Sequence, residues 1–256
     1  MIRATLLMYH IVDRPLSDQE ARYCCAPDLF ERHMRHLADS GCAIGLDDFR
    51  RALNAEKDLP EDAVAVTFDD GFAATFEHAL PVLKRYRIPA TMFVVSGRVG
   101  GCNDWMTPRG FPQRALMNER QILGMRDAGV TIGSHTRTHP RLPGMTREQL
   151  TEEIGGSRND LEILLAQDVG DFAYPFGAYD ETARQVVQAA GYRTACSTRA
   201  GFNNTDARCY ELRRTEVYSW DSMWRFRQKL KYGRNESSVT FPLVYYAGRA
   251  RARLSL

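Results

Sequence analysis

The chain has 256 residues, 44% apolar and 26% charged, with 34 basic and 32 acidic side chains and a net charge of +2. That length and composition suit a globular α/β protein of one large domain or two small ones. The sequence contains no apolar run of 18 residues, which excludes a transmembrane helix. The N-terminus, MIRATLLMYHIVDR, has too short an apolar core for a signal peptide, is interrupted by His10 and Asp13, and lacks a small-residue cleavage site. It reads as a first strand, and the protein is expected to be cytoplasmic. The six cysteines show no metal-type spacing and are expected to be reduced thiols, several of them buried.

Strand and helix signals alternate along the chain. Thr5–Tyr9 reads as a strand, and a helix over Asp28–Ser40 starts after Pro27 and stops at Gly41. A short strand at Ala43–Leu46 leads to a helix capped by Asp47 and running to Asn54. Ala63–Phe68 is a strong strand, Thr75–Tyr86 a helix and Ala90–Val95 a strand. Ser96–Pro112 mixes Gly, Pro, Asn and Trp without period and reads as a long loop, a common home for function. A helix over Asn118–Ala128 ends at Gly129 and a strand follows at Val130–Ser134. Thr146 and Gln149 form a capping pattern that opens a helix to Leu165. Phe172–Tyr174 is a strand, Asp180 caps a helix to Ala190, Tyr192–Ser197 is a strand that includes Cys196, and Met223–Lys231 is helical. Repeated βα units with no linker between them point to a single domain over residues 1–256 and a parallel sheet, open or closed into a barrel.

Three of these strands end in residues with chemistry. His135 and His139 have metal-ligand spacing and leave the apolar VTIG on a loop bounded by Pro140. Two imidazoles and a carboxylate are a ligand set of hydrolytic zinc, and Asp70 is the natural carboxylate. Asp69 and Asp70 end a buried strand, where paired like charges need a cation or hydrogen bonds. One can bind metal while the other acts on water, and Gly71 permits the turn that follows. The alternative is an Asp that caps the next helix. His10 is a lone histidine, a type often structural. It gains weight because amide hydrolysis needs a proton donor and no histidine follows His139. His33 and His36 are expected to face solvent from a helix, and His78 sits mid-helix.

Thr67-Phe68-Asp69-Asp70-Gly71, the segment from His135 to His139 and Tyr174-Pro175-Phe176-Gly177 together resemble the polysaccharide deacetylase family, carbohydrate esterase family four. The resemblance covers roughly Leu6 to Ser197. It implies a distorted (β/α) barrel of about seven parallel strands and a metal-dependent hydrolase that removes acetyl groups from N-acetylated sugars. On this likeness Asp69 corresponds to the catalytic base, and Asp70, His135 and His139 to the metal ligands. Tyr174, Pro175 and Phe176 belong to the oxyanion and substrate region, with the Phe176 N–H holding the oxyanion. The family usually places an Arg two residues before the Pro of its third motif, and here that position is Ala173. It usually carries its acid-donating His near the C-terminus, and here none exists. Both departures resemble the circularly permuted poly-N-acetylglucosamine deacetylase branch, in which Met8-Tyr9-His10 makes His10 the counterpart.

The implied cofactor is a divalent ion, with zinc favoured over nickel or cobalt. Trp105, Tyr174, Phe176, Trp220 and Trp224 are candidates for sugar stacking or the acetyl pocket, each weighed against core packing. Alternative functions are an amidohydrolase or O-acetyl esterase of the same fold, or a catalytically silent glycan-binding module. The substrate is an N-acetylated glycan of a polysaccharide or lipid-linked carrier. Residues 220–256 form a basic C-terminal extension: from Arg225 onward eight basic residues face one acid, +7 against −5 for the remainder. Peripheral contact with the inner membrane through Trp224–Lys231 and Phe241–Ala247 is one expectation, packing on the barrel the other. That basic tail is the only feature favouring nucleic acid, and no nucleic-acid partner is expected.

Overall fold

The computed structural model describes residues 3–236. Six parallel strands form its frame: β1 (Arg3–Tyr9), β3 (Ala63–Phe68), β4 (Ala90–Val94), β5 (Thr131–Ser134), β6 (Asp171–Ala173) and β7 (Thr194–Cys196), paired in the order β7-β6-β5-β4-β3-β1. The two-residue β2 (Ala43–Ile44) pairs the first half of β3, and β4 takes over from Val66. On β1, the antiparallel β8 (Asn203–Asn204) meets Arg3 and Ala4, and the parallel β9 (Thr215–Glu216) meets Leu7 and Met8. Just before β9, Leu212 bridges Cys196 of β7, with Leu212 N–H bonded to the Ala195 carbonyl and Ser197 N–H to that of Leu212. Residues 212–216 therefore fill the gap between β7 and β1 and curl the sheet into a distorted barrel.

The alternation of side chains along each strand decides what faces inward. Leu7, Tyr9, Val64, Val66, Phe68, Met92, Ile132, Phe172 and Tyr174 pack outward against the helices. Ala4, Leu6, Ala63, Ala65, Phe93, Ala173, Cys196 and Leu212 line the interior. Small residues dominate that list because the barrel is narrow. A Cβ on Gly133 would lie 2.6 Å from the Phe93 ring. Continued by one step, the same period turns His10, Asp69 and His135 toward the mouth of the barrel.

The outer layer comprises α1 (Pro27–Ser40), α2 (Leu46–Leu53), α3 (Ala73–Tyr86), α4 (Glu119–Asp127), α5 (Arg147–Leu150), α6 (Gly156–Leu165), α7 (Glu181–Ala189) and α8 (Met223–Tyr232). Caps set most boundaries: Asn118, Thr146, Asp180 and Ser222 each accept a bond from the N–H three residues on. The cap expected at Asp47 moves to Gly45, whose N–H is taken by the Asp48 side chain, so helix α2 starts two residues early. The single helix expected from Thr146 to Leu165 is interrupted by a π turn at Thr151–Gly155. The 96–112 loop contains two 3-10 turns, Ser96–Arg98 and Asp104–Arg109.

His33 corrects another expectation. It is fully buried, stacked on Phe226 of α8 at 3.8 Å and hydrogen-bonded through Nδ1 to the Tyr9 hydroxyl at 3.1 Å. Burial, reinforced by Arg32, Lys229 and His36, lowers its pKa to about 3. Helix α8 packs by Phe226, Lys229 and Tyr232. Lys229 is buried in an ion pair with Asp221 and donates to the Glu216 carbonyl at 2.6 Å. This charge of the basic extension therefore points into the protein, and the Phe241–Ala247 segment lies outside the described residues. All six cysteines are free, four of them buried. Among the described residues no helix is long and apolar enough to cross a membrane.

Candidate active site

Asp70, His135 and His139 converge at the barrel mouth. Their ligand atoms lie within 4.8 Å of one another, with Asp70 Oδ1 3.6 Å from His135 Nε2 and 3.4 Å from His139 Nε2. Each is delivered by the end of a strand. Asp69 N–H bonds to the Tyr9 carbonyl at the top of β1, after which Asp70 and Gly71 adopt left-handed φ of 72° and 83° to turn the chain out. His135 N–H bonds to the Val94 carbonyl, and the loop beyond it places Thr136 and His139 at φ of 69° and 61°. Thr136 Oγ1 accepts the His139 N–H at 3.0 Å and fixes that turn. Left-handed conformations at three non-glycine residues cost energy and concentrate where geometry serves a site.

The three residues fit a divalent cation. All are buried, and among the described residues Asp70 Oδ1 has no hydrogen-bond partner. Burial and the adjacent Asp69 charge push the Asp70 carboxyl well above its ordinary range. Burial lowers His135 to about 4 and, with help from His135, lowers His139 as well, so both imidazoles are neutral donors at pH 7. A buried carboxylate facing two neutral imidazole nitrogens is a charge arrangement that a cation completes. His135 Nδ1 is 2.7 Å from the Ala173 carbonyl, which orients Nε2 toward the triad. Among the described residues His139 Nδ1 has no such partner. Aromatic rings hold it instead: Trp105 stacks at 4.7 Å and Phe176 meets it edge-on at 4.6 Å.

Asp69 does not cap the helix that follows. Arg214 holds it with two bonds, Nη1 to Oδ1 at 2.6 Å and Nη2 to Oδ2 at 2.7 Å. Arg214 is fully buried and also bonds to the Ser197 carbonyl and to Thr67 Oγ1. Burial alone would raise the Asp69 pKa, but Arg214 and His135 outweigh it and hold the carboxyl well below the usual range. Arg214 thus fills the place left open by Ala173. Its guanidinium sits 5.5 Å over Phe93, in the interior cluster to which Ala173 belongs.

His10 lines the same cleft, edge-on to Tyr23 at 5.1 Å, with a buried Nδ1 that has no partner among the described residues. Burial lowers its pKa, against the opposing pull of Asp69 and Glu216. Glu216, buried in the wall, is clamped by Arg22 at 3.1 and 2.6 Å. Neither Arg214 nor Glu216 is anticipated by the sequence reading, although Leu212, Arg214 and Glu216 share one strand period. Trp105 and Phe176 line the cleft as expected. Phe176 takes a left-handed φ of 59° in the turn Pro175–Gly177, and a Cβ on Gly177 would lie 2.6 Å from the Thr198 nitrogen.

Three of the candidate aromatic residues, Tyr174, Trp220 and Trp224, do not line the cleft. Tyr174 faces outward, fully buried, with its hydroxyl bonded to the Tyr210 carbonyl and its ring stacked on Tyr179. Strand alternation puts Ala173 inside and therefore Tyr174 outside. Pro175 is buried in the turn below the cleft. Trp220 and Trp224 are exposed, and neither lines the cleft.

A model of the polysaccharide deacetylase family matches residues 56–195, over half of the chain. The chain belongs to the polysaccharide deacetylase family. Among relatives of this family, YxkH of Bacillus subtilis, provisionally named a polysaccharide deacetylase, is 29% identical over 213 residues, 83% of this chain and 70% of that protein. The poly-β-1,6-N-acetyl-D-glucosamine N-deacetylase of Staphylococcus aureus is 25% identical over 144 residues, 53% of this chain and 47% of that protein. Among solved structures, the Streptococcus pyogenes deacetylase PplD in complex with acetate superposes with a TM-score of 0.77 at 26% identity, covering 90% of this chain and 98% of that one. IcaB from Ammonifex degensii gives 0.76 at 25% identity, covering 90% and 96%.

Proposed function

We propose that this deacetylase family member hydrolyses the acetamide of N-acetylated sugars in a glycan, using a divalent ion, zinc by preference, held by Asp70, His135 and His139. The observation that carries this reading is the pairing of a buried, converging ligand triad with a separate carboxylate, Asp69, kept ionised by Arg214. When bound, the ion supplies a Lewis acid that lowers the pKa of water toward neutrality and polarises the acetyl carbonyl. Asp69 is the general base. Arg214 aims its carboxylate and keeps it free to accept the proton of the attacking water. The Phe176 N–H, in the turn Pro175–Gly177, is the protein's own donor to the oxyanion.

His10 delivers a proton to the departing sugar amine. Burial disfavours its protonated ring and lowers its pKa, while Asp69 and Glu216 pull the other way. A low pKa also makes its protonated form a stronger donor, and Asp69 and Glu216 favour that form. Trp105 and Phe176 wall the acetyl side of the cleft and keep bulk water away. The N-deacetylase name of the Staphylococcus relative supports an amide over an ester as the bond cleaved. The test is acetate release from N-acetylglucosamine oligomers and from an O-acetylated sugar, before and after chelation. Release from the amide substrate that stops on chelation is expected. Release from the ester alone identifies an esterase, and none from either a glycan-binding module.

A further inference from the structure

We infer that the cleft selects glycans carrying an oxyanion, a phosphate or carboxylate, on the acetylated sugar or its neighbour, and that Arg109 reads it. This inference rests on the deacetylase reading and specifies its substrate. Nearly every charge on the cleft wall is already matched. Glu20 is held by Arg114 at 2.7 Å, Arg22 by Glu216, and Asp69 by Arg214. Asp70 faces the two imidazoles. Arg109 also lines the cleft, yet among the described residues it has no carboxylate partner, and its recorded polar contact is with the Met106 sulfur at 3.8 Å.

Arg109 is exposed, and two aromatic rings flank its guanidinium. It lies 5.5 Å from the Phe111 ring and 5.8 Å from that of Phe176, and such stacking restrains the plane of the fork. The loop that carries it is anchored at depth. Arg114 bonds to Asp13, Glu20 and the Arg14 carbonyl, and Asn103 bonds to Arg114 N–H and the Pro112 carbonyl. Phe176, which contacts the guanidinium, also contacts His139 at 4.6 Å. The free cation is therefore two ring contacts from the triad, within reach of a substituent on the reacting sugar or the next one. A planar fork with open donors recognises phosphate and carboxylate in the same bidentate manner.

The test compares kcat/KM for acetate release from three probes: a neutral N-acetylglucosamine tetramer, the same tetramer carrying a phosphomonoester, and one containing a uronate. The wild-type chain is expected to prefer at least one anionic probe by about tenfold, the scale of one charge-assisted contact, with the preference shrinking in high salt. The probe preferred identifies the anion. In Arg109→Met the ratio of anionic to neutral probe should fall to about one, and in Arg109→Lys to an intermediate value. Equal turnover of all three probes by the wild type, or an unchanged ratio in Arg109→Met, overturns the inference. If no probe releases acetate, the deacetylase reading fails by itself. Calorimetric binding of the same tetramers then decides: tighter anionic binding lost in Arg109→Met upholds the inference, and equal binding refutes it.

Discussion

Arg214 grips Asp69 through both carboxylate oxygens, at 2.6 and 2.7 Å, inside the barrel where neither side chain meets solvent. This pair joins the last piece of the barrel, residues 212–216, to the end of β3. It explains how a base at position 69 stays ionised next to a second carboxylate.

Arg214→Met strands Asp69 as an uncompensated buried charge. Loss of one partner of such a pair costs about 3–5 kcal/mol, so thermal unfolding should move markedly down. The Asp69 pKa should rise, because Arg214 is what opposes burial there. A base must be deprotonated, so the acid limb of the kcat/KM profile should shift to higher pH. Arg214→Lys, which keeps the charge and loses the fork, should shift it less. An unmoved acid limb in a folded Arg214→Met protein would remove Arg214 from the positioning of the base.

His10→Ala should retain fold and metal while slowing amide hydrolysis by about 10²-fold or more, the scale of a lost acid–base group. An O-acetyl substrate, with its better leaving group, should be affected less. Equal losses on amide and ester would show that His10 does not donate the proton.

The ring of His139 is held by stacking, where His135 has a carbonyl partner. Groups that orient a ligand contribute roughly 10–100-fold in metal affinity. Trp105→Leu should therefore weaken zinc binding by about tenfold, and Trp105→Phe should restore most of it. Zinc affinity unchanged in Trp105→Leu, measured by competition with a chelator, would mean that the stack is incidental.

Burial of His33 links stability to pH. Its folded pKa of about 3 lies below the unfolded value of about 6.5, so the unfolded chain binds more protons in between. The stabilisation is complete above pH 6.5 and is lost progressively as pH falls toward 3. His33→Phe keeps the stack on Phe226 and cannot titrate. Its stability should fall less steeply between pH 6 and pH 4, by up to one proton. Parallel curves for the two proteins would refute the assignment.

The sequence made the strand-borne part of the site legible. Apolar runs of strand character ending in Asp69-Asp70 and in His135 pointed to a shared rim, and the positions of all the parallel frame strands could be read within a residue or two. Arg214 and Glu216 were hidden because β9 is two residues long and its inward neighbours are charged, so no apolar alternation marks it. Tyr174 misled for the opposite reason: it sits beside the Pro-Phe-Gly turn in sequence, yet alternation turns it into the core. His33 looked like a solvent-facing helix residue because the helix that buries it, α8, lies nearly two hundred positions away. Such long-range packing leaves no local trace.

On the proposed mechanism, zinc held by Asp70, His135 and His139 is required for acetate release, while Asp69 takes the proton of the attacking water. Zinc content and acetate release from an N-acetylglucosamine oligomer, measured on the same samples of wild type, Asp70→Ala, His135→Ala and Asp69→Asn, test it most directly. One zinc per wild-type chain is expected, with turnover proportional to occupancy. Asp70→Ala and His135→Ala should lose both metal and activity, whereas Asp69→Asn should keep metal and lose turnover by at least ~10²-fold. Full zinc occupancy in Asp70→Ala or His135→Ala, or undiminished turnover by metal-free wild type or by Asp69→Asn, would contradict the account.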